Sequence, residues 1–247
     1  EELRSTLERF TGALQAALPH LPRAEIYWRF HFMVVVLVHT IALGSLVIFI
    51  IQHVTGGPWG VRIRRTLEAG TRTLPLLALL FVPIAFGVHE LFEWSHASAV
   101  AKDEVLQHKS PYLNEPFFLM RAAGYLVVSL TLMFFLNRWS QQPDAGGQTQ
   151  WLGRHMTLLS RGGIVLYALT VTFASVDWGM SLEPHWFSTM YGVLFAGGQL
   201  LSAMAFAIAI SARLVDRKPI SDVICVTCVH DLCNLMAAFV MLGAYFG

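Results

Sequence analysis

Six long apolar runs constrain the fold more than any other feature of this sequence. A helix needs about 20 apolar residues to cross roughly 30 Å of hydrocarbon, and each run is that long. None shows the period-2 alternation that is typical of a barrel strand. The composition agrees, because 55% of the residues are hydrophobic and 13% are charged, whereas soluble domains carry about 25% charged residues. The sequence predicts an all-α, polytopic integral membrane helical bundle with six transmembrane helices, at residues 31–52, 73–94, 117–137, 158–178, 189–211 and 223–246.

The remaining residues divide into a terminal segment and loops. Residues 1–30 are predicted to form an N-terminal amphipathic, interfacial segment that precedes the transmembrane domain of residues 31–247. The loops after the first, third and fifth spans hold nine lysines and arginines, against six in the N-terminal segment and the other loops. The positive-inside rule therefore predicts that these three loops are cytoplasmic and that both termini lie outside.

Charge and cysteine content exclude two further classes of protein. The formal net charge is +1 and neither sign forms a dense run, so no nucleic-acid-binding surface is predicted. The three cysteines all fall between residues 225 and 233, which excludes a secreted disulfide framework. Cys225 and Cys228 do not form the C-x-x-C-H motif of a c-type haem, and no metal site is predicted.

A set of polar residues falls at the predicted outer ends of the spans. Ionisable side chains are costly inside a bilayer and usually mark sites, and a histidine beside carboxylates can be tuned to accept protons. These residues therefore predict an outer proton site for a substrate that carries protons and electrons, such as a quinone. The alternative interpretation is ordinary solvation of helix ends. The residues are His89, Glu90, Glu93, Arg121, Asp177 and His185.

A second set of polar residues lies deeper and toward the predicted inner side. His230 and Asp231 are adjacent in the sixth apolar run, Arg161 begins the fourth, and His39 lies within the first. Chains of such residues relay protons through membranes, so they predict an inner proton pathway. Two alternatives stay open: a packing salt bridge between Arg161 and Asp231, and a core role for His39. A third is axial ligation of a b-type haem by histidines such as His39, His89 and His230.

Several motifs together resemble one known family. Residues 89–96 (HELFEWSH), 107–118 (QHKSPYLNEPFF) and 172–189 (TFASVDWGMSLEPHWFST) resemble segments of the ActF-type subunit of alternative complex III. Residues 230–232 and the basic stretch 62–69 are similar to further segments of that subunit. The resemblance extends from about residue 30 to residue 247.

The resemblance implies a non-haem, NrfD-like, multi-pass subunit of a bacterial quinol:cytochrome c (or cupredoxin) oxidoreductase in the inner (cytoplasmic) membrane. Such a subunit takes part in electron transport and proton translocation and is not catalytic alone. It implies quinone or quinol (menaquinone or ubiquinone) as ligand and no covalently bound cofactor. The implied partners are a homologous NrfD-like membrane subunit, an iron–sulfur subunit and cytochrome c subunits, which hold the haems and iron–sulfur clusters.

Two alternatives to that function remain, namely a b-type haem membrane cytochrome subunit and a purely structural membrane anchor. The resemblance also implies a longer polypeptide. About ten spans of roughly 20 residues each, with their loops, exceed 247 residues. We therefore expect this chain to be part of a ten-helix subunit.

Overall fold

All secondary structure in the described part of the chain is helical, which confirms the all-α prediction. The computed structural model describes residues 9, 12, 13 and 15 and the ranges 22–56, 58–141, 149–214 and 226–246. Most of the predicted N-terminal amphipathic segment therefore lies outside the described residues. The helices are α1 (Arg23–Thr55), α2 (Pro58–Thr71), α3 (Leu74–Phe86), α4 (Val88–Leu91), α5 (Ala97–Val100), α6 (Glu104–Lys109), α7 (Glu115–Gln141), α8 (Thr149–Trp178), α9 (Tyr191–Leu214) and α10 (Val226–Phe246).

Helix α1 is the central element of the bundle and packs against α2, α3, α8 and α9. Every residue from 42 to 50 is buried, as expected of a helix that is apolar around its whole circumference. The helix starts after Pro22, which has extended backbone angles, and ends before Gly56, whose φ of 67° is left-handed. Other helices thus enclose α1, and the predicted first span (residues 31–52) lies within it.

The closest helix contact joins α1 to α9 at Gly44. A Cβ atom added to Gly44 would lie 2.0 Å from the backbone oxygen of Gln199 and 2.8 Å from the Cβ of Ala203. By contrast, an added Cβ would meet nothing within 4 Å at Gly197 or Gly198 of α9. The close approach therefore depends on the glycine of α1.

The second predicted span is displaced in the structure. Residues 53–72 were predicted to form a loop but contain α2, and α3 ends at Phe86 rather than continuing to residue 94. The helix ends before Gly87, which has φ −100° and ψ 21°, and a Cβ added to Gly87 would lie 2.6 Å from the ring of Trp28. Phe92 is extended (φ −118°, ψ 118°) and is followed by a short 3-10 turn. The prediction that His89 and Glu93 share one continuous helix face is therefore wrong.

Five helical segments are long and apolar enough to cross a membrane, judged by length and composition. The sixth predicted span (residues 223–246) overlaps α10. Judged on its described residues, α10 is not among those five segments. The number of six spans therefore stays a prediction. The five segments are Glu25–Thr55, Ile63–Phe86, Glu115–Gln141, Gly153–Leu182 and Tyr191–Leu214.

The contact at Gly44 yields a test of the packing. Gly44→Ala should lower the free energy of unfolding by about 1–3 kcal/mol, because the added methyl group overlaps the α9 backbone and forces the helices apart. The measurement is loss of the helical circular dichroism signal during heating of the purified full chain. Gly197→Ala is the matched control and should leave stability unchanged or raise it, because alanine favours a helix more than glycine does. Equal midpoints for the two variants would contradict this packing.

Candidate functional site

An apolar cavity of about 180 Å³ lies near the end of the bundle that carries Asp177. We call it the His39 cavity. Its walls come from α1, α3, α8, α9 and the segments that join them, and they consist mainly of aromatic and branched aliphatic side chains. The lining residues are Phe32, Val35, Val36, His39, Phe81, Ile84, Phe92, Trp178, Gly179, Leu182, Tyr191 and Phe195.

His39 is the one ionisable imidazole on the cavity wall and is 1% exposed. The centre of its ring lies 5.0 Å from that of Trp178 in a T-shaped contact and 5.5 Å from that of Phe195. Its Nδ1 lies 3.5 Å from Nε2 of Gln199. The Gln199 Oε1 accepts a hydrogen bond of 2.7 Å from the Tyr167 hydroxyl. A polar chain of three buried side chains thus links α8, α9 and α1 behind the cavity wall.

Two polar atoms of the wall have no hydrogen-bond partner among the residues described. They are Nε2 of His39 and Nε1 of Trp178, and both are buried. An unpaired buried polar atom is unfavourable by about 1–3 kcal/mol. Both nitrogens have almost no accessible surface, so a molecule in the cavity would contact them only after the wall side chains move.

The cavity is closed on one side by a tight turn after α8. A Cβ added to Gly179 would lie 2.4 Å from the hydroxyl of Tyr191, so only glycine lets that ring approach the turn. Trp178 is the last residue of α8, is 9% exposed and forms part of the wall. The position of Trp178 in the wall therefore depends on the contacts that fix the end of α8.

A buried ion pair holds that end of α8. Arg121 of α7 donates two hydrogen bonds to Asp177, from Nε at 2.9 Å and from Nη2 at 2.8 Å. Its Nη1 donates to the backbone oxygen of Tyr112 at 3.0 Å, and the Tyr125 hydroxyl donates to Asp177 at 2.7 Å. The guanidinium also lies 3.9 Å from the ring centre of Tyr112 and 4.2 Å from that of Phe117. We call these residues the Asp177 cluster.

Arg121 and Asp177 were predicted site residues, and the structure brings them together, whereas the two tyrosines were missed. Burial, with the negative charge of Asp177, raises the pKa of Tyr112 to about 12. The tyrosine therefore stays protonated at neutral pH. The carboxylate of Asp177 is paired on both oxygens, so the cluster holds the end of α8 against α7.

The other predicted outer residues are exposed and form separate contacts. His89 lies 3.5 Å from Glu115, and His185 lies 2.7 Å from Asp103. Lost hydration raises the pKa of Asp103, but hydrogen bonds from the N–H groups of the next helix and the neighbouring His185 outweigh this and keep its pKa below the ordinary value. Glu90 and Glu93 are exposed on the segment after the break at Gly87. The six residues therefore do not line one common pocket.

The predicted inner residues are also separated. His230, Asp231 and Arg161 are exposed, and no ion pair joins Arg161 to Asp231 in the parts of α8 and α10 that are described. The Asp231 side chain lines a second cavity of about 460 Å³ between α1, α9 and α10. His39 belongs to the first cavity instead, where it is the only histidine among the described lining residues. Nor does the structure, over the residues it describes, bring three potential metal ligands together.

A buried carboxylate that the sequence analysis missed lies at the opposite end of the bundle. Glu68 of α2 is 2% exposed and accepts hydrogen bonds from Arg65 at 2.7 Å and from the hydroxyl of Ser140 in α7. Arg64 lies 3.5 Å from the same carboxylate. The spacing of these residues, three and four positions apart, was a usable signal once the segment was recognised as a helix.

Comparison with known proteins overturns the predicted family. Residues 1–47 match a family model described as the C-terminal domain of tetracyclin repressor-like proteins, and no curated protein matches the chain. The prediction of an ActF-type subunit of alternative complex III is therefore wrong. So are the quinol:cytochrome c oxidoreductase function, the role in electron transport and the partner subunits that followed from it.

The Asp177 cluster yields a test of what holds α8. Asp177→Asn should lower the free energy of unfolding by about 3–5 kcal/mol, because it leaves the Arg121 guanidinium buried without its counter-charge. The control is Glu183→Gln, an exposed acidic residue in the following loop, which should leave the midpoint unchanged. Thermal unfolding of the purified full chain measures both. A midpoint for Asp177→Asn equal to that of the control would show that the ion pair does not hold this end of α8.

Proposed function

We propose that this chain is a membrane-embedded protein that binds a small, apolar, ring-shaped molecule in the His39 cavity. The observation that carries the proposal is the cavity itself, a partly open apolar volume of about 180 Å³ that is lined mainly by aromatic and aliphatic side chains. A dry apolar cavity of about 150 Å³ accepts benzene. The volume therefore suits one substituted ring rather than a large ligand.

The distribution of apolar surface supports a membrane location, with the candidate spans crossing the bilayer of a bacterial inner membrane as the sequence predicts. The first candidate span is 61% buried, but in the other four only 22–33% of the most apolar window is buried. Large apolar side chains therefore point away from the bundle on α3, α7, α8 and α10, and in water such surface would favour aggregation. Examples are Leu79, Phe86, Met120, Val127, Leu158 and Met241.

The chemistry of the wall supports a ring as ligand. Trp178 and Phe195 present ring faces and edges on two sides of His39, an arrangement that favours stacked or edge-to-face contact with another ring. A quinone, which the sequence analysis named as a ligand, belongs to this class of molecule. The proposal concerns binding and assigns no electron-transfer step.

A ligand-binding measurement tests the proposal. Duroquinone (tetramethylbenzoquinone) should raise the unfolding temperature of the purified full chain, with a stabilisation of about 2.7 kcal/mol at a concentration 100-fold above its Kd. Val36→Phe, which places a ring in the cavity, should abolish the effect. Val165→Phe is the matched control on an exposed position of α8 and should retain it. Equal stabilisation of both variants would show that the ligand binds elsewhere.

The family match favours a second candidate function, a regulator whose state follows a bound ligand. The described part of the matched region includes α1 as far as residue 47, and it contributes Phe32, Val35, Val36 and His39 to the cavity. Both candidate functions therefore involve the same cavity, and they differ in where the chain resides.

Fractionation distinguishes the two candidates. If the chain spans a membrane, it should remain in the membrane pellet after alkaline carbonate extraction, because the exposed apolar faces of the helices are buried in lipid. A variant with Leu79→Lys and Met120→Lys on exposed apolar positions should insert less well and appear in the aggregated fraction. Recovery of the unmodified chain in the soluble fraction would contradict the membrane proposal and favour the regulator.

A further inference from the structure

We infer that the cavity of about 460 Å³ between α1, α9 and α10 binds an apolar chain that ends in an ammonium group, with the carboxylate of Asp231 as counter-charge. We call this cavity the Asp231 groove. None of its described lining residues belongs to the His39 cavity, so the inference rests on the proposed membrane location and not on the ligand of that cavity. The residues that line the groove are Ile48, Ile51, Thr55, Leu200, Met204, Asp231, Leu232, Leu235 and Phe239.

Asp231 lies on the face of α10 that borders the groove. Asp231, Leu235 and Phe239 follow one another at intervals of four residues, which places them on one side of the helix, and all three line the groove. Asp231 is exposed, and no described residue gives its side chain a hydrogen bond or an ion pair. Its carboxylate is therefore accessible to a ligand and lacks a counter-charge within the described chain.

The rest of the groove is uncharged and mainly apolar. Thr55 is the other polar residue on its wall, and the Thr55 hydroxyl donates to the backbone oxygen of Ile51 at 2.9 Å. No lysine, arginine or histidine lines the groove over the part of the chain that the structure describes. A carboxylate beside an apolar wall attracts a cation more strongly than it would in bulk water, and it repels an anion. The groove therefore favours a positively charged, apolar ligand over a neutral or negative one of the same shape.

The directions of the helices determine where the two polar residues lie along the groove. Helices α1 and α9 run in the same direction, because His39 lies beside Phe195 whereas Gly44, further along α1, lies beside Ala203. Helix α10 follows α9 in the chain, and consecutive helices that cross a membrane run in opposite directions. We therefore expect α10 to run opposite to α1.

The groove thus has one polar end and one apolar end. Thr55 is the last residue of α1, and Asp231 lies in the second turn of α10, so both belong to the same end. Ile48 and Phe239 lie toward the other end. The distance along α1 from Ile48 to Thr55 is about 10 Å at a rise of about 1.5 Å per residue. These dimensions suit a short alkyl chain, with its charged group beside Asp231 and its carbons along the apolar walls.

Three ligands with the same alkyl chain test the inference. Octylamine, octanol and octanoate differ only in the head group, and octylamine is protonated at neutral pH, as a lysine side chain is. Isothermal titration of the purified full chain in a nonionic detergent, with the heat of titration into detergent alone subtracted, measures each Kd. The Kd for octylamine should be about 10-fold or more below that for octanol, as expected from a hydrogen bond to a charged group. Octanoate should bind several-fold more weakly than octanol, because Asp231 repels it.

A variant of the carboxylate separates charge from shape. Asp231→Asn keeps the size of the side chain and removes its charge, so the preference for octylamine over octanol should fall to about twofold or less, while the Kd for octanol changes by less than about twofold. The matched control is Glu183→Gln, an exposed carboxylate outside the groove, which should keep the full preference. Because Asp231 is exposed, its replacement should leave the unfolding midpoint unchanged.

A second pair of variants locates the alkyl chain. Leu235→Trp fills the groove and should weaken the binding of octylamine and octanol alike by about 10-fold or more. Val240→Trp places the same ring at an exposed position of α10 and should leave both Kd values unchanged. Should Leu235→Trp fail to fold, Asp231→Asn carries the test.

The contrary outcomes each overturn a defined part of the inference. Equal Kd values for octylamine and octanol, or no binding of octylamine, would overturn the ammonium ligand. A preference that survives Asp231→Asn would overturn Asp231 as the counter-charge, and unchanged binding to a folded Leu235→Trp variant would overturn the groove as the site. None of these results bears on the His39 cavity, whose ligand is tested with Val36→Phe, and the membrane location has its own test by fractionation.

Discussion

Gly44 of α1 lies directly against the backbone oxygen of Gln199 in α9, and the arrangement of the cavity depends on this contact. Because the two helices approach so closely, the side chain of Gln199 reaches His39, five residues before the glycine on the same helix. Tyr167 then reaches Gln199 from α8. A larger residue at position 44 would separate α1 from α9 and break the connection between the three polar side chains. The packing of backbone against backbone thus determines the hydrogen-bonding state of the imidazole.

Polar side chains elsewhere in the bundle show how this fold treats buried charge. Asp177 is paired on both carboxylate oxygens, and Glu68 receives two arginines and a hydroxyl. Each cluster joins two helices at one end of the bundle, as expected where desolvation makes an unpaired charge costly. Serine hydroxyls without a partner, such as that of Ser45, lie on helices, where they can rotate toward a carbonyl of the preceding turn. An imidazole or indole nitrogen on a cavity wall has no such local acceptor.

The sequence predicted helices far better than it predicted the site, for physical reasons. Apolar periodicity reports burial or lipid contact, so the all-α class and the runs that became α1, α7, α8 and α9 followed from it. It could not show that Trp28 would pack against Gly87, where α3 ends, since that contact joins distant parts of the chain. His39 was grouped with inner residues by depth, although its partners are fixed by helix rotation and packing. Glu68 was missed because its segment was taken for a loop.

The predicted family failed for a related reason, and the match that replaces it points back to the same helix. Similar segments do not by themselves establish a shared function, which depends on the geometry of specific residues. In the structure His89 and His185 lie in separate, exposed contacts. The matched region covers residues 1–47, and its described part supplies one wall of the cavity from Phe32 to His39. Both candidate functions therefore require a ligand in the same cavity. The exposed apolar side chains favour the membrane-embedded candidate over the regulator. They lie on the outward faces of α3, α7, α8 and α10, and so much apolar surface would promote aggregation in water.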